Sequence, residues 1–255
     1  MDNTNRRVKR GWMNLKVVKA LKETHDTMTY VMVDADDGGR PWDYWAGQYL
    51  TFRFDTVADK PVVRSYTMSS SPNQGDTCAF TVKRVEKGLI SNWLCDNVKV
   101  GDILRARGPI GRFIYEPEKD RGHLVMVAAG SGVTPFVSIM REHAKNLGDH
   151  GAPQKMTLLV SYRSREDLIL NDDLKTLAET VGCRVIITLS RDPAAPAGYW
   201  QGRVTPEMIK RATEGDFTNC TFMSCGPTAI MDMTRDTALA SGVPAEQIKT
   251  ESFES

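Results

Sequence analysis

Hydrophobic and polar positions alternate in short runs over the first half of the chain, then give way to longer apolar runs separated by helical patterns. From about residue 13 to residue 115, Leu15, Val17 and Ala20, then Met28, Tyr30 and Met32, then 49–54, 80–85 and 103–106 read as strands. A half-buried strand repeats every two residues, and these runs do. Asp36-Asp37-Gly38-Gly39, Pro61 and Ser71-Pro72-Asn73-Gln74-Gly75 separate them as turns. Residues 91–97 form the one helical segment of this half. Short, regularly spaced strands predict a small antiparallel β-barrel.

After Gly108-Pro109-Ile110-Gly111 the period changes. Residues 123–129 are continuously apolar, 134–146 have helical spacing, 156–162 are apolar again, 173–181 are helical and 184–189 are β-branched. Two further helices are predicted at 206–212 and 228–240, with a strand at 220–224 between them. Apolar strands alternating with helices predict an α/β domain built on a parallel sheet. Ligands of such sheets bind beyond the carboxyl ends of the strands. The polar stretch Glu116-Pro117-Glu118-Lys119-Asp120 marks a boundary. The expected organisation is an N-terminal arm at 1–11, a β-barrel domain at 12–116 and an α/β domain at 117–255, with no internal repeat.

Composition narrows the function classes. A chain of 255 residues is long enough for two ordinary domains that fold without staples. Its net charge of +1 supplies no overall field for nucleic acid or an anionic membrane. The basic residues from Arg6 to Arg10 read as a solvated arm. Cys78, Cys95, Cys183, Cys220 and Cys225 contain no C-x-x-C pair, which argues against a disulfide framework, a structural zinc site or an iron–sulfur cluster. They read as reduced thiols of a cytoplasmic protein. The polar, basic N-terminus is not a signal peptide, and no run approaches the roughly 18–20 apolar residues of a membrane helix.

Four motifs could carry chemistry. Arg64-Ser65-Tyr66-Thr67, at the start of a predicted strand, sets a guanidinium beside an aromatic ring, which suits a ligand with a phosphate and a flat ring. Alone it reads rather as a strand with a surface arginine and a half-buried tyrosine. Gly88-Leu89-Ile90-Ser91 opens a helix, where unpaired amides attract anions, or Ser91 is simply an N-cap. Gly130-Ser131-Gly132-Val133-Thr134-Pro135 is a strand–turn–helix of dinucleotide-binding type, though not the G-x-G-x-x-G fingerprint. Cys225-Gly226-Pro227 follows another strand at the same sheet edge. Cys225 reads either as a small buried hydrophobe or as the wall of a nicotinamide pocket, and with no histidine nearby it is not a nucleophile.

The order of these motifs, with Gly108-Pro109-Ile110-Gly111-Arg112-Phe113 between the second and third, resembles the ferredoxin–NADP reductase family, and the resemblance runs from about residue 12 to the end. It is similar to the reductase components of oxygenases and to hybrid-cluster protein reductases without the ferredoxin domain. The resemblance implies that the barrel binds FAD, preferred to FMN. Arg64 would meet the flavin phosphate, Ser65 would belong to the same binding strand, Tyr66 would pack on the isoalloxazine and Thr67 would sit near its N5. Val82, Lys83 and Arg84 would line the adjoining strand, and Gly88, Leu89, Ile90 and Ser91 would hold the phosphates. Lys87 stands where the family often has a glycine, which leaves the turn of that loop open.

The α/β domain would bind NADPH or NADH as hydride donor. Gly130, Gly132 and Thr134 would cradle the diphosphate, and Cys225, Gly226 and Pro227 would place the nicotinamide. Arg163, Ser190 and Arg191 would line the adenosine end, where an arginine could pair with a 2′-phosphate. Thr67, Cys225 and Glu251 would serve the hydride step, with Phe253 shielding the flavin; the alternative for residues 251–253 is a frayed polar tail. Electrons would pass to a ferredoxin or similar redox protein. Relatives often carry a C-x4-C-x2-C ferredoxin domain, and its absence here implies an acceptor on a separate chain or on a missing part of a longer one. A free-flavin or ferric reductase and a non-catalytic docking subunit are the competing expectations.

Overall fold

The structure, a computed structural model, describes residue 9 and residues 11–253. Most of the arm expected at 1–11 lies outside the described residues. The chain divides into two compact units, residues 1–114 and 115–255.

The first unit contains β1 (Met13–Thr24), β2 (Thr27–Asp34), β3 (Tyr49–Phe54), β4 (Val62–Thr67), β5 (Cys78–Lys83), helix α1 (Leu89–Asn97) and β6 (Ile103–Ile110). The strands form one antiparallel sheet in the order β4-β3-β6-β1-β2-β5. The sheet curls until its two edges meet at a single Met68↔Phe80 bridge, where the Ser69 N–H donates to the Ala79 carbonyl at 2.8 Å. The result is a barrel with an open seam between β4 and β5. Its interior is filled by Leu15, Val17, Tyr30, Met32, Leu50, Phe52, Met68 and Phe80. The spacing Leu15, Val17, Ala20 has a local cause. The β1–β2 register slips between Val17 and Lys19, so the inward phase of β1 shifts by one residue.

Helix α1 is fixed to the barrel by the buried Tyr30 hydroxyl, which donates to the Leu94 carbonyl at 2.6 Å. Burial pushes the phenol's pKa up and keeps it neutral. Tyr30→Phe is expected to cost about 1 kcal/mol, the usual worth of such a bond; a urea midpoint equal to that of the parent would count against this anchor. The helix opens at Leu89, two residues before the expected start. Lys87 takes a left-handed φ of 58° and Gly88 is the N-cap, while the Ser91 hydroxyl accepts from the Val85 N–H at 3.1 Å instead of capping.

The second unit runs β7 (His123–Ala129), α2 (Thr134–His143), β8 (Lys155–Tyr162), α3 (Asn171–Ala178), β9 (Cys183–Leu189), β10 (Trp200–Gln201), α4 (Pro206–Ala212), β11 (Cys220–Cys225), α5 (Thr228–Ala240) and β12 (Ile248–Glu251). Its sheet is wholly parallel, in the order β10-β9-β8-β7-β11-β12. Leu124–Ala128 and Met156–Val160 are buried, as central strands covered on both faces must be. Both architectures are those the hydrophobic pattern predicts. α3 starts earlier than its pattern suggests: Leu170 precedes it with a φ of 54°, and Asp172 and Asp173 fall in its first turn, where the helix dipole favours carboxylates. No helix among the described residues is long and apolar enough to cross a membrane.

Candidate functional site

Each unit carries one candidate site. In the first it lies along the open seam. Arg64-Ser65-Tyr66-Thr67 ends β4 rather than opening it, because the strand begins at Val62, immediately after Pro61. Arg64 is exposed; its guanidinium donates to the Val63 carbonyl at 2.7 Å, and no carboxylate pairs with it among the described residues. Tyr66 is half-buried, with its ring centroid 5.2 Å from Phe80 and 6.0 Å from Phe52. Burial raises its phenol pKa, so the ring is neutral. The Ser65 hydroxyl lies 3.0 Å from that of Thr51 across the β3–β4 ladder, and Thr67 is buried.

The other bank of the seam is β5 and the start of α1. Val82 is buried, and the Lys83 ammonium is engaged by Asp26 at 2.8 Å. Arg84 pairs with Asp96. Leu89 is exposed and Ile90 buried. α1 has no side-chain cap and no acid in its first turn, which leaves its leading amides to an anion. A Cβ on Gly88 would lie 2.6 Å from the Ser91 Oγ and 2.9 Å from the Val85 Cβ, so the loop is closed tightly on itself.

In the second unit the site is at the carboxyl ends of the strands. Gly130 takes φ +54° and opens a 3₁₀ turn, Gly130–Val133, that leads into α2. Gly132 is there for space. A Cβ on it would stand 2.2 Å from the Cys225 carbonyl oxygen, so the turn after β7 and the end of β11 touch backbone to backbone. The Thr134 hydroxyl is buried and donates to the Ser131 carbonyl at 3.0 Å. Gly226 and Pro227 then lead into α5. Cys225 is fully buried, and burial pushes its thiol pKa up, so it is neutral and no thiolate nucleophile.

Cys225 faces Glu251 in the β11–β12 register. One Glu251 carboxylate oxygen is buried without a partner, and burial raises the group to about 7. A carboxyl so raised holds its proton in the folded state where the unfolded chain has lost it. Stability therefore falls as pH rises from about 4.5 to about 7. Glu251→Gln is expected to flatten that part of the melting-temperature profile; an unaltered slope would show the carboxyl is not so perturbed. Phe253 is exposed.

Beyond β8 and β9, the Arg191 N–H donates to the Arg163 carbonyl at 2.7 Å, and the Ser190 N–H to the Tyr162 carbonyl at 3.0 Å. Both arginines are exposed and have no carboxylate partner among the described residues. Asp192, the nearest acid in sequence, is held by Arg165 at 2.7 Å. The Gly202 N–H bonds to the Leu189 carbonyl, so Arg203, which no sequence motif marks, follows at the same sheet edge. Among the described residues no group of three or more His, Cys, Asp or Glu could hold a metal ion.

The chain matches the family models described as Oxidoreductase FAD-binding domain over residues 14–115 and Oxidoreductase NAD-binding domain over residues 126–236. It is 33% identical over 245 residues to NADH-cytochrome b5 reductase 1 of Aspergillus terreus, covering 91% of this chain and 81% of that one. The chain belongs to the ferredoxin–NADP reductase family. Another family member, the ferredoxin reductase component of 3-ketosteroid-9-alpha-monooxygenase of Mycobacterium tuberculosis, is 30% identical over 253 residues. That match covers 95% of this chain but 66% of the relative, so the chain spans just under two thirds of its length. The Flavohem-like FAD/NAD-binding domain of nitric oxide dioxygenase from Vibrio cholerae O1 biovar El Tor superposes with a TM-score of 0.81 at 26% identity, over 94% of this chain and 98% of that one.

Proposed function

We propose that the chain is an NAD(P)H-dependent flavoprotein reductase that uses bound FAD to pass electrons from NADPH or NADH to a ferredoxin or similar one-electron acceptor. The observation that carries this reading is that one chain holds both an anion-ready seam beside a flat aromatic ring and a glycine turn pressed against Cys225.

The residues of the seam fit FAD. The Arg64 guanidinium, which has no carboxylate partner among the described residues, and the uncapped amides of Leu89, Ile90 and Ser91 would bind the diphosphate. Tyr66 would offer its ring to the isoalloxazine, and Thr67 would lie near its N5. Lys87 takes the left-handed φ of 58° that a glycine adopts without strain, so the loop can turn here without one. The flavin, when bound, supplies acceptance of hydride and release of single electrons. The protein's share is binding, orientation and the placing of protons.

In the second unit, Gly130, Gly132 and the start of α2 at Thr134 hold the donor's diphosphate. Cys225, Gly226 and Pro227 offer a neutral, close-packed wall to the nicotinamide. Glu251 keeps or gives up a proton near neutrality beside that wall, and Phe253 would shield the flavin. Arg163, Ser190 and Arg191 receive the adenosine end. Arg191→Ala is expected to raise KM for NADPH about tenfold or more, the loss of one charge-assisted contact, and to leave KM for NADH nearly unchanged. Equal losses for both would refute a 2′-phosphate role. Five free cysteines favour a cytoplasmic location. Steady-state assays with both nucleotides against ferricyanide and a ferredoxin test the whole reading; flavin that elutes free on gel filtration would favour a reductase of free flavin instead.

A further inference from the structure

We propose that Arg165 is the positioning residue that selects NADPH over NADH: it engages the Asp192 carboxylate, withdraws it from the adenosine ribose and leaves the site cationic. The inference rests on the reductase reading and names which of the two nucleotides the second unit takes.

The two groups that tell the nucleotides apart stand side by side in this chain. A carboxylate beyond a parallel strand accepts the ribose 2′-hydroxyl of NADH, and an arginine there takes the 2′-phosphate of NADPH. β9 ends at Leu189 and is followed by Ser190, Arg191 and Asp192, so both groups are present. Only the arginine is left open. The Arg165 Nε donates to the Asp192 carboxylate at 2.7 Å, and the Asp192 side chain is only 13% exposed. That pair is neutral. Arg163, Arg191 and Arg203 are exposed at the same edge with no carboxylate partner among the described residues, so the charge left to meet a ligand is positive. A bare carboxylate in their midst would repel a 2′-phosphate and welcome a ribose diol.

The backbone holds this pair in place at both ends. Arg165 opens a short 3₁₀ turn, Arg165–Asp167, closed by a capping box. In it the Ser164 N–H and hydroxyl both donate to the Asp167 carboxylate, at 2.9 and 2.8 Å. Asp167 is therefore engaged inside its own turn, and Asp192 is the acid that Arg165 meets. The loop that carries Asp192 is tied to the loop that carries Arg165. The Ser190 N–H donates to the Tyr162 carbonyl and the Arg191 N–H to the Arg163 carbonyl, which continues the β8–β9 pairing past the strand ends. A guanidinium anchored at its base binds a carboxylate with little loss of entropy. Glu166, the remaining acid of the turn, is exposed and serves as a control.

The test measures kcat/KM of the purified holo-chain for NADPH and for NADH, with ferricyanide as acceptor. Calorimetric titration with 2′,5′-ADP and with 5′-AMP reads the adenosine site without turnover. The parent is expected to favour NADPH and 2′,5′-ADP. Arg165→Ala frees Asp192 and is expected to lower the NADPH-to-NADH ratio at least about tenfold, through KM rather than kcat, and to weaken 2′,5′-ADP relative to 5′-AMP alike. Adding Asp192→Asn removes the freed carboxylate and should bring the ratio back to within about threefold of the parent, a rescue that a merely structural Arg165 would not show. Arg165→Lys should keep most of the preference, and Glu166→Gln should leave it unchanged. Should Arg165→Ala fold poorly, Arg165→Gln, which keeps the length of the side chain without its charge, is expected to shift the ratio in the same direction. Three results overturn the proposal and leave the reductase reading standing: a parent that favours NADH, an unchanged ratio in Arg165→Ala, or a fall that Asp192→Asn does not reverse. A comparable shift in Glu166→Gln does the same. Failure of the parent to reduce ferricyanide with either nucleotide overturns the reductase reading and the proposal with it.

Discussion

Gly132→Ala is expected to destabilise the second unit by about 3 kcal/mol, towards the upper end of overpacking costs, and to weaken nicotinamide-nucleotide binding with it. The added methyl group would stand 2.2 Å from the Cys225 carbonyl oxygen and 2.6 Å from its carbon. Both are backbone atoms, so no rotamer change relieves the clash. Either the turn after β7 or the end of β11 must move, and these two segments form the proposed nucleotide site. Gly130→Ala is the internal control. Its Cβ would meet nothing within 4 Å, but φ is +54°, so only backbone strain of about 1 kcal/mol is expected. Urea unfolding followed by circular dichroism reads both. A Gly132→Ala midpoint no lower than that of Gly130→Ala would contradict the close approach.

Arg64→Ala is expected to weaken flavin binding by about 2 kcal/mol, roughly thirtyfold, the worth of a hydrogen-bonded charge. The fold should survive, because Arg64 is exposed and its hydrogen bond within the protein goes to the neighbouring Val63 carbonyl. Arg64→Lys should recover part of the loss, since a lysine keeps the charge without the planar fork. Flavin content after gel filtration and titration of the apoprotein with FAD measure the effect. Undiminished flavin in Arg64→Ala would remove this residue from the site.

Much of this was legible from the chain because the two periodicities are clean. The two-residue alternation of 49–54 and the unbroken run at 123–129 each admit one burial pattern. Irregular backbone was harder to read. The β1 bulge disguised one long strand as a looser pattern. Lys87 in a left-handed conformation moved the start of α1, because the loop turns where a glycine was expected and pulls the Ser91 hydroxyl back to Val85. β10 and β12 are edge strands of two and four residues, too short to show a period. With β12 unread, the facing of Glu251 and Cys225 was invisible, as pairings between distant strands always are in sequence. Arg203 escaped for the same reason, since it follows β10. The glycine, arginine and cysteine motifs were legible by type and order. That Gly132 and Cys225 touch was not.

The proposed activity is flavin binding followed by reduction of the flavin with a nicotinamide nucleotide. Anaerobic addition of one equivalent of NADPH or NADH to the purified protein, followed by visible absorbance, tests it most directly. The expected result is a yellow protein whose flavin band is bleached by at least one of the two nucleotides and returns on adding ferricyanide. A colourless protein that takes up no FAD, or a yellow one whose band persists with both nucleotides, would contradict it.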